Sequence, residues 1–191
     1  MRLSKVTNPA RLVPLAFFVA ILLGTAILML PISRAGVGGA PFLTALFTST
    51  SAVCVTGLIM VDTPTYWSAF GQGVILSLIQ VGGFGIMTGA TMLGLLVTRR
   101  LRLNHRLLAQ AETRTFLLGD VASVLRLILI ATVTVELAIA AVLTLRFHFG
   151  YGQPPLEALW NGLFHSVSAY NNAGFARYSD NVVSFALDPL I

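Results

Sequence analysis

The chain has one cysteine, few charged residues and fewer acids than bases, and each shortage excludes something. Cys54 alone forms no internal disulfide and no cysteine-cluster metal site. Charged residues occupy 10% of the 191 positions against 56% hydrophobic, and mean hydropathy is +0.85. Soluble domains carry roughly a quarter charged residues, so this composition fits a bilayer. No His-Glu-x-x-His and no paired intramembrane aspartates occur, which weighs against a membrane-embedded hydrolase.

The net charge of +5 could suit a nucleic acid, but its distribution argues for none. Arg2, Lys5 and Arg11 precede the first charge-free stretch, and Arg99, Arg100, Arg102, Arg106 and Arg114 follow the second. Arg34, Arg146 and Arg177 fall on the other side. That asymmetry is the positive-inside pattern and puts the N-terminus and the 99–120 loop in the cytoplasm. Ser33-Arg34-Ala35 loosely resembles a signal-peptide cleavage site. The preceding apolar run is longer than the usual h-region, however, and further spans follow.

A spanning helix needs about 20 apolar residues. Spans are predicted at Leu12–Ile32, closed by Pro31, at Trp67–Thr98, and at Val121–Phe147, which carries Arg126 and Glu136. Two shorter apolar segments, Pro41–Ala52 and Leu156–Ala169, are opened by Pro41 and by Pro154-Pro155. Eleven or so residues at about 1.5 Å each cross only half of a ~30 Å hydrocarbon core, so these read as re-entrant helices. Sliding the sequence by 117 positions sets Leu46 on Leu163, Phe47 on Phe164, Ser49 on Ser166, Ser51 on Ser168, Ala52 on Ala169 and Gly57 on Gly174. The expected fold is therefore an all-α membrane protein of repeated span–re-entrant pore loop–span units. Residues 1–98 form the first unit, 99–120 a cytoplasmic loop, and 121–191 a second unit without its closing span.

The irregular backbone after each short helix carries the chemistry. Unpaired carbonyls are tolerated at membrane depth only where buried in protein or facing water. Val53, Cys54, Val55, Thr56 and Gly57, and likewise Tyr170, Asn171, Asn172, Ala173 and Gly174, are the predicted ion-binding segments. Their carbonyls could replace the hydration shell of a monovalent cation, and the preceding helix directs its negative end there. Ser49, Ser51, Ser166 and Ser168 are the predicted supports on the short helices.

Three motifs, Thr48-Ser-Thr-Ser-Ala-Val-Cys-Val-Thr-Gly-Leu58, Ile79-Gln-Val-Gly-Gly-Phe-Gly-Ile-Met-Thr88 and Phe164-His-Ser-Val-Ser-Ala-Tyr-Asn-Asn-Ala-Gly-Phe175, resemble the Trk/Ktr/HKT superfamily of potassium transporters. The resemblance implies four span–loop–span repeats around one pore, with Gly57 and Gly174 as the first two filter glycines. It implies potassium as the transported ion, with Gly57 rather than serine favouring it over sodium, and no bound cofactor. The early first span is more like the Ktr-type subunit than the Trk type. The implied partners are the lipid bilayer, a second copy in a homodimer, and a cytoplasmic nucleotide-binding regulatory ring (KtrA/TrkA-like). The implied location is the bacterial plasma membrane. The departure is that only two filter strands are here, without the gate expected in the third repeat. The chain therefore reads as a fragment, with two copies around one axis as the lesser alternative.

Other residues have competing readings. Gly82, Gly83 and Gly85 mimic a phosphate loop but sit in an apolar span, where Gly85 and Gly89 permit close helix contact. Arg126 can snorkel to the cytoplasmic side. Glu136, nearer mid-span, either pairs with another helix or lines the route. Asp62 and Asp180 either concentrate cations at the outer mouth or are ordinary loop carboxylates. The Cys54 thiol has no activating base nearby. His165 and Ser166 lack an acid partner and sit where polar groups brace a filter, and neither His105 nor His148 joins a ligand set. The basic loop could meet anionic lipid or the regulatory ring. A secondary transporter with broken helices is a further alternative, but its repeats would usually be inverted.

Overall fold

The structure, a computed structural model, describes residues 9–105 and 119–191. Six α-helices occur among them: α1 (Pro9–Leu28), α2 (Phe42–Val53), the single turn α3 (Thr63–Tyr66), α4 (Ala69–His105), α5 (Gly119–Leu145) and α6 (Pro155–Tyr170). No strand is present among the described residues beyond an isolated antiparallel bridge between Arg34 and Trp67.

Proline sets three of the boundaries. Pro31 forces Leu30 into an extended conformation (φ −66°, ψ 143°), so α1 ends at Leu28, four residues before the predicted Ile32. A 3-10 turn, Pro31–Ser33, follows, and the Ser33 hydroxyl donates to the Ile27 carbonyl at 2.7 Å. Pro41 (ψ 145°) and Pro154 (ψ 144°) are both extended and sit just before α2 and α6. Their carbonyls accept from Ala45 and Ala158 at 3.0 and 2.9 Å, which closes each first turn.

Both flanking helices reach into the segment 99–120 predicted as a loop, of which residues 106–118 lie outside the described residues. α4 continues through Arg99–His105, which holds no Gly or Pro and is rich in Arg and Leu, both good helix formers. α5 starts at Gly119, two residues before the predicted Val121, and passes into a π-helical turn, Arg146–Gly150. Arg2, Lys5, Arg106 and Arg114 lie outside the described residues.

Ala69–Gly89 and Leu125–Gly150 are long and apolar enough to cross a membrane, and α1 adds a shorter apolar stretch, Pro14–Leu28. Leu127, Ile130 and Leu137 on α5 are exposed, as a helix facing an apolar solvent requires. α4 is central: it packs against α1, α2 and α6, while α5 pairs with α6. One buried cluster joins the two halves, with Leu28, Val53, Trp67, Ile79, Phe164 and Phe175 in it. Helix packing in lipid gains little from the hydrophobic effect, so close small-residue contacts and hydrogen bonds decide the arrangement.

Candidate ion-binding loops

α2 and α6 end in the same way, residue for residue. Cys54 and Asn171 cap them in nearly identical conformations (φ −84°, ψ −1° and φ −83°, ψ 0°). Val55 and Asn172 then take left-handed φ of 57° and 56°, and Gly57 and Gly174 take 72° and 71°. The Thr56 N–H donates to the Ser51 carbonyl at 3.0 Å, and the Ala173 N–H to the Ser168 carbonyl at 2.7 Å. A β-branched residue and an asparagine are held at positive φ at corresponding places, a conformation costing about 1–3 kcal/mol unless its surroundings impose it. The likeness seen as side-chain identities at a spacing of 117 is thus also a likeness of backbone dihedrals.

The two loops meet at their glycines. A Cβ added to Gly57 would lie 2.7 Å from the Ala173 carbonyl oxygen and 3.2 Å from Gly174 Cα. Positive φ favours glycine at position 57, and this contact with a backbone oxygen requires it. Of the ten predicted ion-binding residues, Val53, Asn171 and Ala173 are buried, while Cys54, Thr56, Asn172 and Gly174 are exposed.

The predicted serine supports divide. The Ser168 hydroxyl donates to the Phe175 carbonyl at 2.6 Å, just beyond Gly174, and the Ser166 hydroxyl to the Glu136 carbonyl of α5 at 2.6 Å. Ser51 accepts from the Thr56 hydroxyl at 3.0 Å. Ser49 is fully buried, with no hydrogen-bond partner for its hydroxyl among the described residues.

Several residues serving the second loop carried no sequence assignment. The Asn171 amide donates to Gln80 Oε1 at 3.2 Å and to Glu136 Oε1 at 3.1 Å, and Gln80 donates to Glu136 Oε2 at 3.1 Å. Gly82 and Gly83 seat both loops on α4. A Cβ on Gly82 would run into the Val53 carbonyl oxygen, and one on Gly83 would run into Asn171 Oδ1. The expected packing role of these glycines therefore has specific objects. Arg177, three residues after Gly174, donates to Gln72 Oε1 at 2.8 Å and to Asn161 Oδ1, and sits over the Trp160 ring. His165 Nε2 accepts the Arg177 backbone N–H at 3.2 Å while Nδ1 faces the Asn161 carbonyl at 2.8 Å, so the ring ties α6 to the segment after the loop. A polar amide in a charge-free span, a feature it shares with Gln72, was the one available signal for Gln80.

The family model described as TrkH, cation transport protein, matches residues 18–191. The chain belongs to the TrkH family. It is 37% identical to Ktr system potassium uptake protein B of Bacillus subtilis over 184 residues, covering 96% of this chain and 40% of that protein. It is 36% identical to Ktr system potassium uptake protein B of Vibrio alginolyticus, and 32% identical to potassium/sodium uptake protein NtpJ of Enterococcus hirae, again over about 40% of their lengths. The chain thus spans some two fifths of the relatives it matches. TrkH-family membership and the helical, strand-free architecture of the described residues make it an all-α membrane protein.

In this TrkH-family chain, the carboxylates predicted near the outer mouth are both engaged. Asp62 Oδ2 accepts from Thr65 at 2.5 Å and from Ser179 at 2.8 Å, which links the segments following the two loops. Asp180 accepts the Ser184 hydroxyl and its backbone N–H, and these bonds hold its carboxyl below the ordinary carboxylate range. Arg126 is exposed on α5.

Proposed function

We propose that this chain supplies two of the filter strands of a potassium uptake subunit of the Trk/Ktr type, and that the cation passes along backbone carbonyls of residues 53–57 and 170–174. The observation carrying this is the matched pair of left-handed turns at Val55–Gly57 and Asn172–Gly174, brought into contact at their glycines. A backbone held in one strained conformation at two related places, after helices whose C-terminal ends point there, suits carbonyl coordination of a dehydrated monovalent cation. In this reading the units are 1–98 and 121–191, α2 and α6 are re-entrant pore helices, and no enzymatic step is involved. The relatives' names, potassium uptake for two and potassium/sodium uptake for the third, favour potassium as cargo, with sodium as the competitor. The working assembly is a homodimer in the bacterial plasma membrane, N-terminus inside, with the cytoplasmic nucleotide-binding ring as its regulatory partner.

The test is rubidium uptake at low external potassium in bacteria stripped of their own uptake systems. The 191-residue chain and its complete reading frame are each expressed and checked for membrane abundance. Uptake by the complete frame above the empty-vector level is expected. Its absence, with the protein in the membrane, would refute the reading.

A further inference from the structure

Among the described residues, only the second loop is braced by a buried carboxylate. Glu136 is 5% exposed and Asn171 6%. At 117 positions earlier, Cys54 corresponds to Asn171 and is exposed, and Val19 corresponds to Glu136 and is exposed. In the second unit three side chains close a ring. Asn171 Nδ2 donates to Glu136 Oε1 and to Gln80 Oε1, and Gln80 Nε2 donates to Glu136 Oε2, each at 3.1–3.2 Å. Glu136 meets amides here: its oxygens accept from Gln80 and Asn171, while the ion pair seen among the described side chains, Arg146–Asp188, lies elsewhere.

We infer that Glu136 is a positioning residue for cation discrimination: its two acceptor oxygens fix the Gln80 and Asn171 amides and so fix where the second loop's carbonyls lie. A carboxylate only accepts, so it dictates that Asn171 turns its NH₂ towards α5. Nδ2 then also meets the Val167 carbonyl at 2.9 Å, while Oδ1 is left buried against Gly83 without a partner among the described residues. Asn171 is the cap of α6 and immediately precedes Asn172, whose φ is 56°. Rotating its amide therefore shifts the strand's first turn. The Ser166 hydroxyl on the Glu136 carbonyl holds the same residue from the α6 side.

The inference rests on the transport reading, and the experiment separates the two. Glu136→Gln, Asn171→Asp, the double exchange and Glu136→Asp are compared in the complete reading frame, with rubidium KM and the sodium-to-rubidium uptake ratio measured per molecule in the membrane. Residues that orient ion ligands typically change affinity by about 10–100-fold. A rise of that order in KM, with weakened discrimination, is expected for Glu136→Gln and for Asn171→Asp, which sets two carboxylates together. The double exchange restores a donor facing an acceptor, with the amide now at position 136 and the carboxylate at position 171. It is expected to recover most of the loss. If Glu136→Gln does not reach the membrane, Glu136→Asp, one methylene too short to meet both amides, is expected to raise KM alone. Variants with wild-type KM and ratio, or a double exchange no better than the singles, would overturn the inference while leaving the transport reading intact. No uptake by the wild type would overturn both.

Discussion

Gly57 and Gly174, 117 residues apart, face one another so closely that a Cβ on either would lie within 3.3 Å of the other's Cα. The contact joins the two halves of the chain at the point where each backbone is left-handed. Steric fit and dihedral strain both act there, and they can be separated.

Gly38 provides the control, since its φ is +81° and nothing lies within 4 Å of a Cβ built on it. Gly38→Ala therefore carries strain alone, about 1–2 kcal/mol. Gly57→Ala adds a clash with the Ala173 carbonyl, a backbone atom that cannot rotate away. Thermal unfolding in detergent is expected to fall by several degrees more for Gly57→Ala than for Gly38→Ala. Equal shifts would mean that the contact between the loops is loose.

Gly82 and Gly83 are expected to differ although they are neighbours. Gly82→Ala drives a methyl group into the Val53 carbonyl, whereas Gly83→Ala meets the Asn171 side chain. Overpacking costs about 1–3 kcal/mol, with the larger loss at Gly82 because only a side chain can give way. Unfolding midpoints of the two variants measure this. Gly83→Ala should also alter ion selectivity through Asn171, which an unfolding scan alone would miss.

How much of this was legible follows from where the information sits. Pro41 and Pro154-Pro155 marked the short helices because proline acts locally, and the repeat marked the loops because both copies lie in the chain. Hydropathy alone carries α1 too far, because apolar Met29–Ile32 continues the hydrophobic run while Pro31 acts on the residue before it. The arginines after Thr98 read as a loop by charge, whereas in α4 their helix propensity prevails as far as His105. The ring of Glu136, Gln80 and Asn171 was out of reach: it joins residues 35 to 91 positions apart on three elements. Glu136 advertised itself as a carboxylate in an apolar span and Asn171 as a predicted filter residue, but nothing in the sequence joined them to each other or to Gln80.

Arg177 is expected to resist replacement by lysine. Its Nε and terminal nitrogen serve Gln72 and Asn161 while the guanidinium plane lies over Trp160, a fork that an ammonium cannot reproduce. Arg177→Lys should raise hydrogen exchange in residues 175–180, with Arg34→Lys, at a half-buried site on Tyr66 and the Val37 carbonyl, close to wild type. Similar exchange in both would contradict the role assigned to the fork.

Asp188 gives a pH dependence. The Arg146 guanidinium bonded at 2.7 Å, with help from the Leu190 N–H and the Tyr151 hydroxyl, holds its carboxyl below the ordinary range. A carboxyl whose folded pKa is depressed stabilises the fold above the ordinary carboxylate pKa, and that contribution is lost as pH falls through the folded value. Protection of residues 183–191 is expected to drop on acidification below about pH 4. Asp188→Asn should show the lower protection at neutral pH, with little further acid response.

The most direct measurement of the central claim is competition of sodium and potassium against rubidium uptake by the complete reading frame, with wild type, Gly57→Ser and Gly174→Ser compared at equal abundance. If the two loops form the ion-coordinating path, potassium competes far better than sodium in the wild type, and each serine erodes that preference. Uptake that keeps its preference with serine at both glycines would contradict the account and move the selective site away from these loops.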